Sequence, residues 1–193
     1  MMSEIGIFLD RDGTINEELQ YISDPNDVKL IPGSAEAIRE ANQLGLKVIV
    51  ISNQSGIARG LIKEEELARV NDKLIELLKE TGACLDAIYY CPHHPDYGEH
   101  PYRKLCDCRK PGSGMLKKAE SEFGIDLKRS FVIGDRIVDI QTAYPVGAKS
   151  ILVLTGYGQN EYKQVKSQKI NVDYIAKDLP NAMQFVKKSL NHI

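Results

Sequence analysis

The chain has 193 residues, of which 42% are hydrophobic and 27% charged, the balance of an ordinary globular protein with enough length to bury a core. Its 25 Lys and Arg against 27 Asp and Glu leave a net charge of −2, which gives no electrostatic footprint for nucleic acid or an anionic membrane surface. No apolar run approaches the ~20 residues that span a bilayer, and the N-terminus lacks the basic start and apolar stretch of a secretory signal, so the expected setting is the cytoplasm.

Five apolar runs punctuate the chain: residues 5–9, 46–51, 85–90, 130–133 and 150–154. Most are continuous rather than alternating, as in strands buried on both faces of a parallel sheet. Helical patterns lie between them. Pro32-Gly33-Ser34 precedes a helix over 35–44, and 63–81 is amphipathic, with Leu67, Val70, Leu74, Leu77 and Leu78 on one face and Gly82 after its end. Residues 114–123 and 137–146 follow, with Pro145 and Gly147 marking where the latter stops. Two further helices, 162–168 and 181–190, carry no motif. The alternation predicts a single domain over 1–193, an α/β fold with a doubly wound, mainly parallel sheet. Monomer is the default state, since no large apolar stripe is left over.

In such sheets ligands bind beyond the carboxyl ends of the strands. The residues there read Asp10-Arg11-Asp12-Gly13-Thr14, then Ser52-Asn53-Gln54-Ser55-Gly56, Cys91-Pro92-His93, and Gly134-Asp135-Arg136. A carboxylate ending a buried strand can attack phosphorus. A second acid two residues on projects from the same edge, where it can protonate a leaving oxygen and then activate water. Two such acids near an anionic substrate need a divalent cation, and Mg²⁺ suits hard oxygen ligands and phosphate. Asp135 offers another carboxylate, with Asp139 one helical turn later. Lys110 can supply positive charge to phosphoryl oxygens, and Ser52 opens a loop whose hydroxyls and amides can cradle them.

Asp10-x-Asp12-Gly13-Thr14, Ser52, Lys110 and Gly134-Asp135-x-x-x-Asp139, in this order at strand ends, resemble the four motifs of the haloacid dehalogenase superfamily of phosphohydrolases. A lone D-x-D-G-T is an ordinary turn; four motifs at successive strand ends are not. The resemblance implies Asp10 as nucleophile, Asp12 as general acid and base, and Ser52 and Lys110 holding the transferring phosphoryl group. It implies Mg²⁺ held by Asp10, the Asp12 main-chain carbonyl and Asp135. Many relatives carry a cap domain, for which this chain has no room, so the site should be open and closed over only by loops.

Residues 91–108 form a long loop holding Cys91-x-His93 and Cys106-x-Cys108, three sulfurs and an imidazole, the inventory of a closed tetrahedral Zn²⁺ site. With no position left for water such a site is structural, and it would aim Arg109 and Lys110 into the active centre. His94 is an alternative to His93, while free thiols or a Cys106–Cys108 redox pair are the plainer readings. His100 and His192 are expected in solvent and Cys84 in the core. The stretches "YYCPHHP", "CDCRKP" and "NQSGIARG" resemble the D,D-heptose 1,7-bisphosphate phosphatases, whose sister group hydrolyses histidinol phosphate. That resemblance implies a small sugar bisphosphate as partner and removal of its C7 phosphate on the route to nucleotide-activated heptose for lipopolysaccharide or surface-layer glycans. By position it places Asp10, Arg11, Asp12, Ser52, Asn53, Gln54, Ser55, Arg59, Lys110 and Arg136 on the substrate. Arg109 would read the second phosphate, and Glu18, Leu19, Gln20 and Tyr21 would close over the sugar. A receiver-like phospho-aspartate domain and a zinc-stapled interaction module without catalysis are the rival classes.

Overall fold

The computed structural model describes residues 3–190. Six strands form one wholly parallel sheet in the order β3-β2-β1-β4-β5-β6: β1 (Gly6–Leu9), β2 (Lys47–Asn53), β3 (Ala87–Cys91), β4 (Phe131–Gly134), β5 (Lys149–Val153) and β6 (Tyr174–Ala176). The connections carry the helices α1 (Ser34–Gln43), α2 (Glu64–Glu80), α3 (Gly114–Phe123), α4 (Ile137–Ala143), α5 (Gly158–Gln168) and α6 (Leu179–Leu190). The strand order reverses at β1, which lies between β2 and β4, so the crevice of a doubly wound sheet opens beyond Leu9 and Gly134.

Why the central strands lack alternation is plain from their two faces. Ile7, Leu9, Val48, Val50, Phe131 and Ile133 face one way, against Ala37, Ile38, Val70, Leu74 and Met183 of α1, α2 and α6. The intervening Phe8, Ile49, Ile51 and Val132 face the other way, against Met115, Leu116 and Ala119 of α3. Ile140 of α4 and Val165 of α5 cover Leu152 on that second side. Both sheet faces are therefore dry, and a strand buried twice must be apolar throughout.

Several boundaries differ from the pattern-based expectation. The sixth strand escapes detection because it has three residues at an edge, only Ala176 of them fully buried. The fourth helix ends at Ala143 and tightens into a 3-10 turn at Tyr144–Val146, where Pro145 lacks the N–H to continue it. The fifth starts a turn early, at Gly158. Cys84 is exposed, not core: it sits in the turn before β3, where its main-chain N–H and C=O bond the side chain of Asn42. His100 is exposed as expected; His192 lies outside the described residues.

Candidate active site

Asp10 follows β1 directly, with its N–H donated to the Ile133 carbonyl of β4 (2.9 Å), so the carboxylate stands at the strand-order reversal. Lys110 Nζ approaches it from the far end of the long loop. The ammonium donates to Asp10 Oδ1 at 2.6 Å and the Ile51 carbonyl at 2.8 Å, and pairs with Asp139 Oδ1 at 2.7 Å. Two of its protons are placed in hydrogen bonds, the Asp139 contact is an ion pair alone, and the side chain is 2% exposed. Asn53 fixes the lysine backbone: its amide nitrogen donates to the Lys110 carbonyl and its amide oxygen accepts from the Lys110 N–H, both at 3.0 Å.

Asp135 follows β4 and lies in a glycine cradle. A Cβ at Gly13, whose φ is +80°, would fall 2.2 Å from Asp135 Oδ2. Tyr157 N–H donates to that same oxygen at 2.7 Å, while Asp135 Oδ1 is buried without a hydrogen-bond partner. Asp139 caps its own helix, accepting from Arg136 N–H at 3.0 Å, and a Cβ at Gly134 would collide with it at 2.3 Å. One oxygen from each of Asp10, Asp135 and Asp139 lies within 4.8 Å of the others. Burial lifts the Asp10 pKa to about 7, against the pull of Lys110 and with the push of Asp139 and Asp12. Burial lifts Asp135 to about 8, with the Asp10 and Asp139 charges adding to it. For Lys110, burial works against the charge, but the Asp10 and Asp139 carboxylates outweigh it and hold the pKa above the ordinary lysine value. Three carboxylates around one ammonium are under-compensated. Asp139 Oδ1, like Asp135 Oδ1, is buried without a hydrogen bond, so the oxygens that could meet a hard cation come from Asp10, Asp135 and Asp139 alike.

Asp12 is held differently. Both its oxygens accept from Arg11, Oδ1 from Nε at 3.1 Å and Oδ2 from Nη2 at 2.8 Å. Asn16 adds a bond to Oδ1 (2.9 Å), and Gln54 adds one to Oδ2 (3.0 Å) while also reaching Ser52 Oγ (2.8 Å). Around these groups opens a cavity of about 340 Å³, lined by Asp10, Asp12, Ser52, Asn53, Gln54, Ser55, Lys110 and Arg136 with Glu18, Gln20 and Tyr21 at its mouth. Gln20 adopts a positive φ of 65°, and its N–H bonds the Glu18 carboxylate. Burial, with the Asp12 charge, raises the Glu18 pKa.

Four residues of the anticipated substrate set are not on this cavity. The Arg11 guanidinium is turned away from it into Asp12, because a buried cation has to meet its counter-charge. Leu19 points to solvent, 49% exposed. Arg59 stacks on the Tyr97 ring at 3.7 Å, and Arg109 donates to the His93 carbonyl at 3.1 Å. Arg59 and Arg109 share the flank nearest the long loop: burial first, then their two charges, hold His94 below the usual histidine range. Val138 and Tyr157 line the cavity without having been named for it, and Asp139, named beside Asp135 as a further carboxylate, lines it as well. The signal for Tyr157 was the strand-end rule itself, applied to the fifth run, which closes on Thr155-Gly156-Tyr157.

In the long loop the Sγ atoms of Cys91, Cys106 and Cys108 and Nδ1 of His93 form a four-cornered cluster whose six edges all lie between 3.3 and 3.6 Å. A tetrahedron of that size puts its centre about 2.1 Å from each corner, close to Zn–N and Zn–S bond lengths. Burial raises the Cys91 and Cys108 thiols, so that without a cation they are held protonated. His94 is not part of the cluster; its Nδ1 accepts from the Asp96 N–H.

Residues 107–182 match the HAD-hydrolase-like family model. The chain is 44% identical, over 94% of its length and 96% of the relative's, to the D-glycero-beta-D-manno-heptose-1,7-bisphosphate 7-phosphatase of Photorhabdus laumondii. The enzyme of that same name from Escherichia coli K12 is 38% identical, over 94% of this chain and 93% of the relative. Among solved structures, D,D-heptose 1,7-bisphosphate phosphatase from B. bronchiseptica, complexed with magnesium and phosphate, superposes with a TM-score of 0.83 at 31% identity, over 95% of this chain and 99% of that one.

Proposed function

The chain belongs to the family of D-glycero-D-manno-heptose-1,7-bisphosphate 7-phosphatases, phosphoric monoester hydrolases of the HAD type, and on that premise we propose that it removes the C7 phosphate from D-glycero-D-manno-heptose 1,7-bisphosphate. The observation that carries this reading is the Asp10–Lys110 pair at the strand-order reversal, with Asp12 on the same cavity wall. An Asp10 oxygen attacks the C7 phosphorus as the bond from phosphorus to the C7 oxygen breaks. Asp12 gives its proton to the departing oxygen, leaving an aspartyl phosphate on Asp10. Asp12, now ionised, takes a proton from water, whose oxygen displaces the Asp10 carboxylate from phosphorus. Inorganic phosphate and free Asp10 result, and Asp12 has its proton back. Ser52 and Lys110 hold the transferring group.

Asp10 and Asp135, with the Asp12 main-chain carbonyl, would hold Mg²⁺, and the unpartnered Asp135 oxygen fits a cation there. Bound in that place, Mg²⁺ supplies the positive charge that lets Asp10 stay ionised beside a phosphate dianion. Cys91, His93, Cys106 and Cys108 would hold Zn²⁺ in a closed, structural set, stapling the loop two residues before Lys110. The flank shared by Arg59 and Arg109 is where the substrate's second phosphate would dock, with Glu18–Tyr21 and Arg136 around the sugar. No helix among the described residues is long and apolar enough to cross a membrane. The reading takes the chain as a single-domain, monomeric enzyme acting on a cytoplasmic sugar phosphate, in the supply of nucleotide-activated heptose.

The test is phosphate release from both anomers of the heptose 1,7-bisphosphate and from histidinol phosphate, with Mg²⁺ and after its removal. The reading expects Mg²⁺-dependent turnover that favours a heptose anomer by about a hundredfold or more over histidinol phosphate. A preference for histidinol phosphate, or turnover of none, overturns it.

A further inference from the structure

The side chain between the two catalytic acids is the largest fully buried one among the described residues: Arg11, 1% exposed. Burying a guanidinium costs desolvation that an apolar residue of similar volume would avoid, so core packing alone does not account for it. Its contacts do. Nε and Nη2 fork onto the two oxygens of Asp12, and Nη1 donates to Asn71 Oδ1 of α2 at 2.9 Å. The fork fixes the plane of the Asp12 carboxylate, and α2 fixes the fork. No other acid lies in ion-pair range of Arg11 among the described residues.

We infer that Arg11, anchored by Asn71, is a positioning residue that sets the direction in which Asp12 meets the leaving oxygen. This rests on the phosphatase reading above. A sugar oxygen leaving phosphorus needs the Asp12 proton, whereas p-nitrophenolate leaves as a stable anion and does not. An error in aiming Asp12 must therefore fall on the first kind of substrate. The quantity kcat/KM reports the steps up to departure of the leaving group, so later hydrolysis of the aspartyl phosphate does not blur the comparison.

The experiment measures kcat/KM of the Mg²⁺- and Zn²⁺-loaded full chain on the heptose bisphosphate, or any alkyl phosphomonoester it turns over, and on p-nitrophenyl phosphate. Arg11→Gln should lose about a hundredfold on the alkyl substrate and under about tenfold on the aryl one, the span of general-acid catalysis. Arg11→Lys, which keeps the charge but not the fork, should resemble Arg11→Gln. Equal losses on both substrates would make Arg11 a structural residue only, and wild-type behaviour of Arg11→Lys would remove the fork from the account; either overturns the inference. Should Arg11→Gln fail to fold, Asn71→Ala, which loosens the anchor and leaves the ion pair, should show the same selective loss at about tenfold, and an unselective loss there is equally fatal. A wild-type chain that hydrolyses neither substrate counts against the phosphatase reading and this one together. A wild type active on both, with variants that lose both alike, counts against Arg11 alone.

Discussion

Replacing Lys110 by Met tests whether the site is held together as the geometry indicates. The ammonium hydrogen-bonds Asp10 and the Ile51 carbonyl and pairs with Asp139, all at 2.6–2.8 Å, and neither it nor Asp139 is more than 2% exposed at the side chain. Each ion pair is worth about 6 kcal/mol of bare Coulomb attraction at an effective dielectric of 20, most of which is offset by desolvation. What the substitution leaves behind decides the outcome: two buried carboxylates without a cation. Breaking a buried pair in this way costs about 3–5 kcal/mol, which for a chain of this length is a fall in Tm of roughly 10 °C. The cost is smaller at pH 6 than at pH 8, because the stranded Asp10 carboxyl, whose pKa burial lifts to about 7 even beside Lys110, can take up a proton. Urea unfolding in Mg²⁺-free buffer at both pH values, with zinc retained, measures it. Adding Asp139→Asn removes one stranded charge, so the double variant should recover at least about 1 kcal/mol of the loss. A loss below about 1 kcal/mol at pH 8, or strict additivity of the two substitutions, would refute the reasoning.

The carboxylate cluster also fixes how Mg²⁺ should act on stability. Asp10 and Asp135 have folded pKa values raised to about 7 and about 8, above the value of 3.8 that marks the free side chain. Between those limits the folded chain binds more protons than the unfolded one, so the stability these groups confer is present at low pH and lost as pH rises through 7–8. Mg²⁺ competes for the ionised form, and its gain in Tm should accordingly be larger at pH 8.5 than at pH 6; an equal gain at both would contradict a site built on Asp10 and Asp135. Cys106→Ala should lose stoichiometric zinc and several degrees of Tm, and unchanged metal content by mass spectrometry would remove the staple. Asp10→Asn should abolish turnover while leaving the far-UV circular dichroism spectrum intact, and residual activity above about a thousandth of wild type would exclude Asp10 as nucleophile.

The strands that carry the site were legible because burial on both faces leaves a continuous apolar signature, and the acids could be placed because chemistry in such a sheet gathers at the strand ends. The short edge strand at Tyr174–Ala176 left no such signature. The converging sulfurs and His93 were legible from spacing, but the choice between His93 and His94 needed the ring positions. Arg11, Asn53 and Gln54 show what sequence withholds. All three sit within two residues of catalytic positions and read as substrate contacts. In the folded chain Arg11 is spent on Asp12 and Asn71, and Asn53 and Gln54, though on the cavity, also bond protein groups, Asn53 the Lys110 main chain and Gln54 Nε2 Asp12 and Ser52. Those partners lie up to 60 residues away, at distances no local pattern encodes.

The account turns on Asp10 as nucleophile and Asp12 as proton carrier, and the most direct measurement is a trap of the intermediate. In an Asp12→Asn variant given p-nitrophenyl phosphate, the leaving group needs no proton but the second step lacks its base. Rapid acid quench and peptide mapping should then find close to one phosphoryl group per chain, on Asp10, matched by one equivalent of p-nitrophenolate. Release of p-nitrophenolate with no phosphoryl group on the protein, or with the group on another residue, would contradict it.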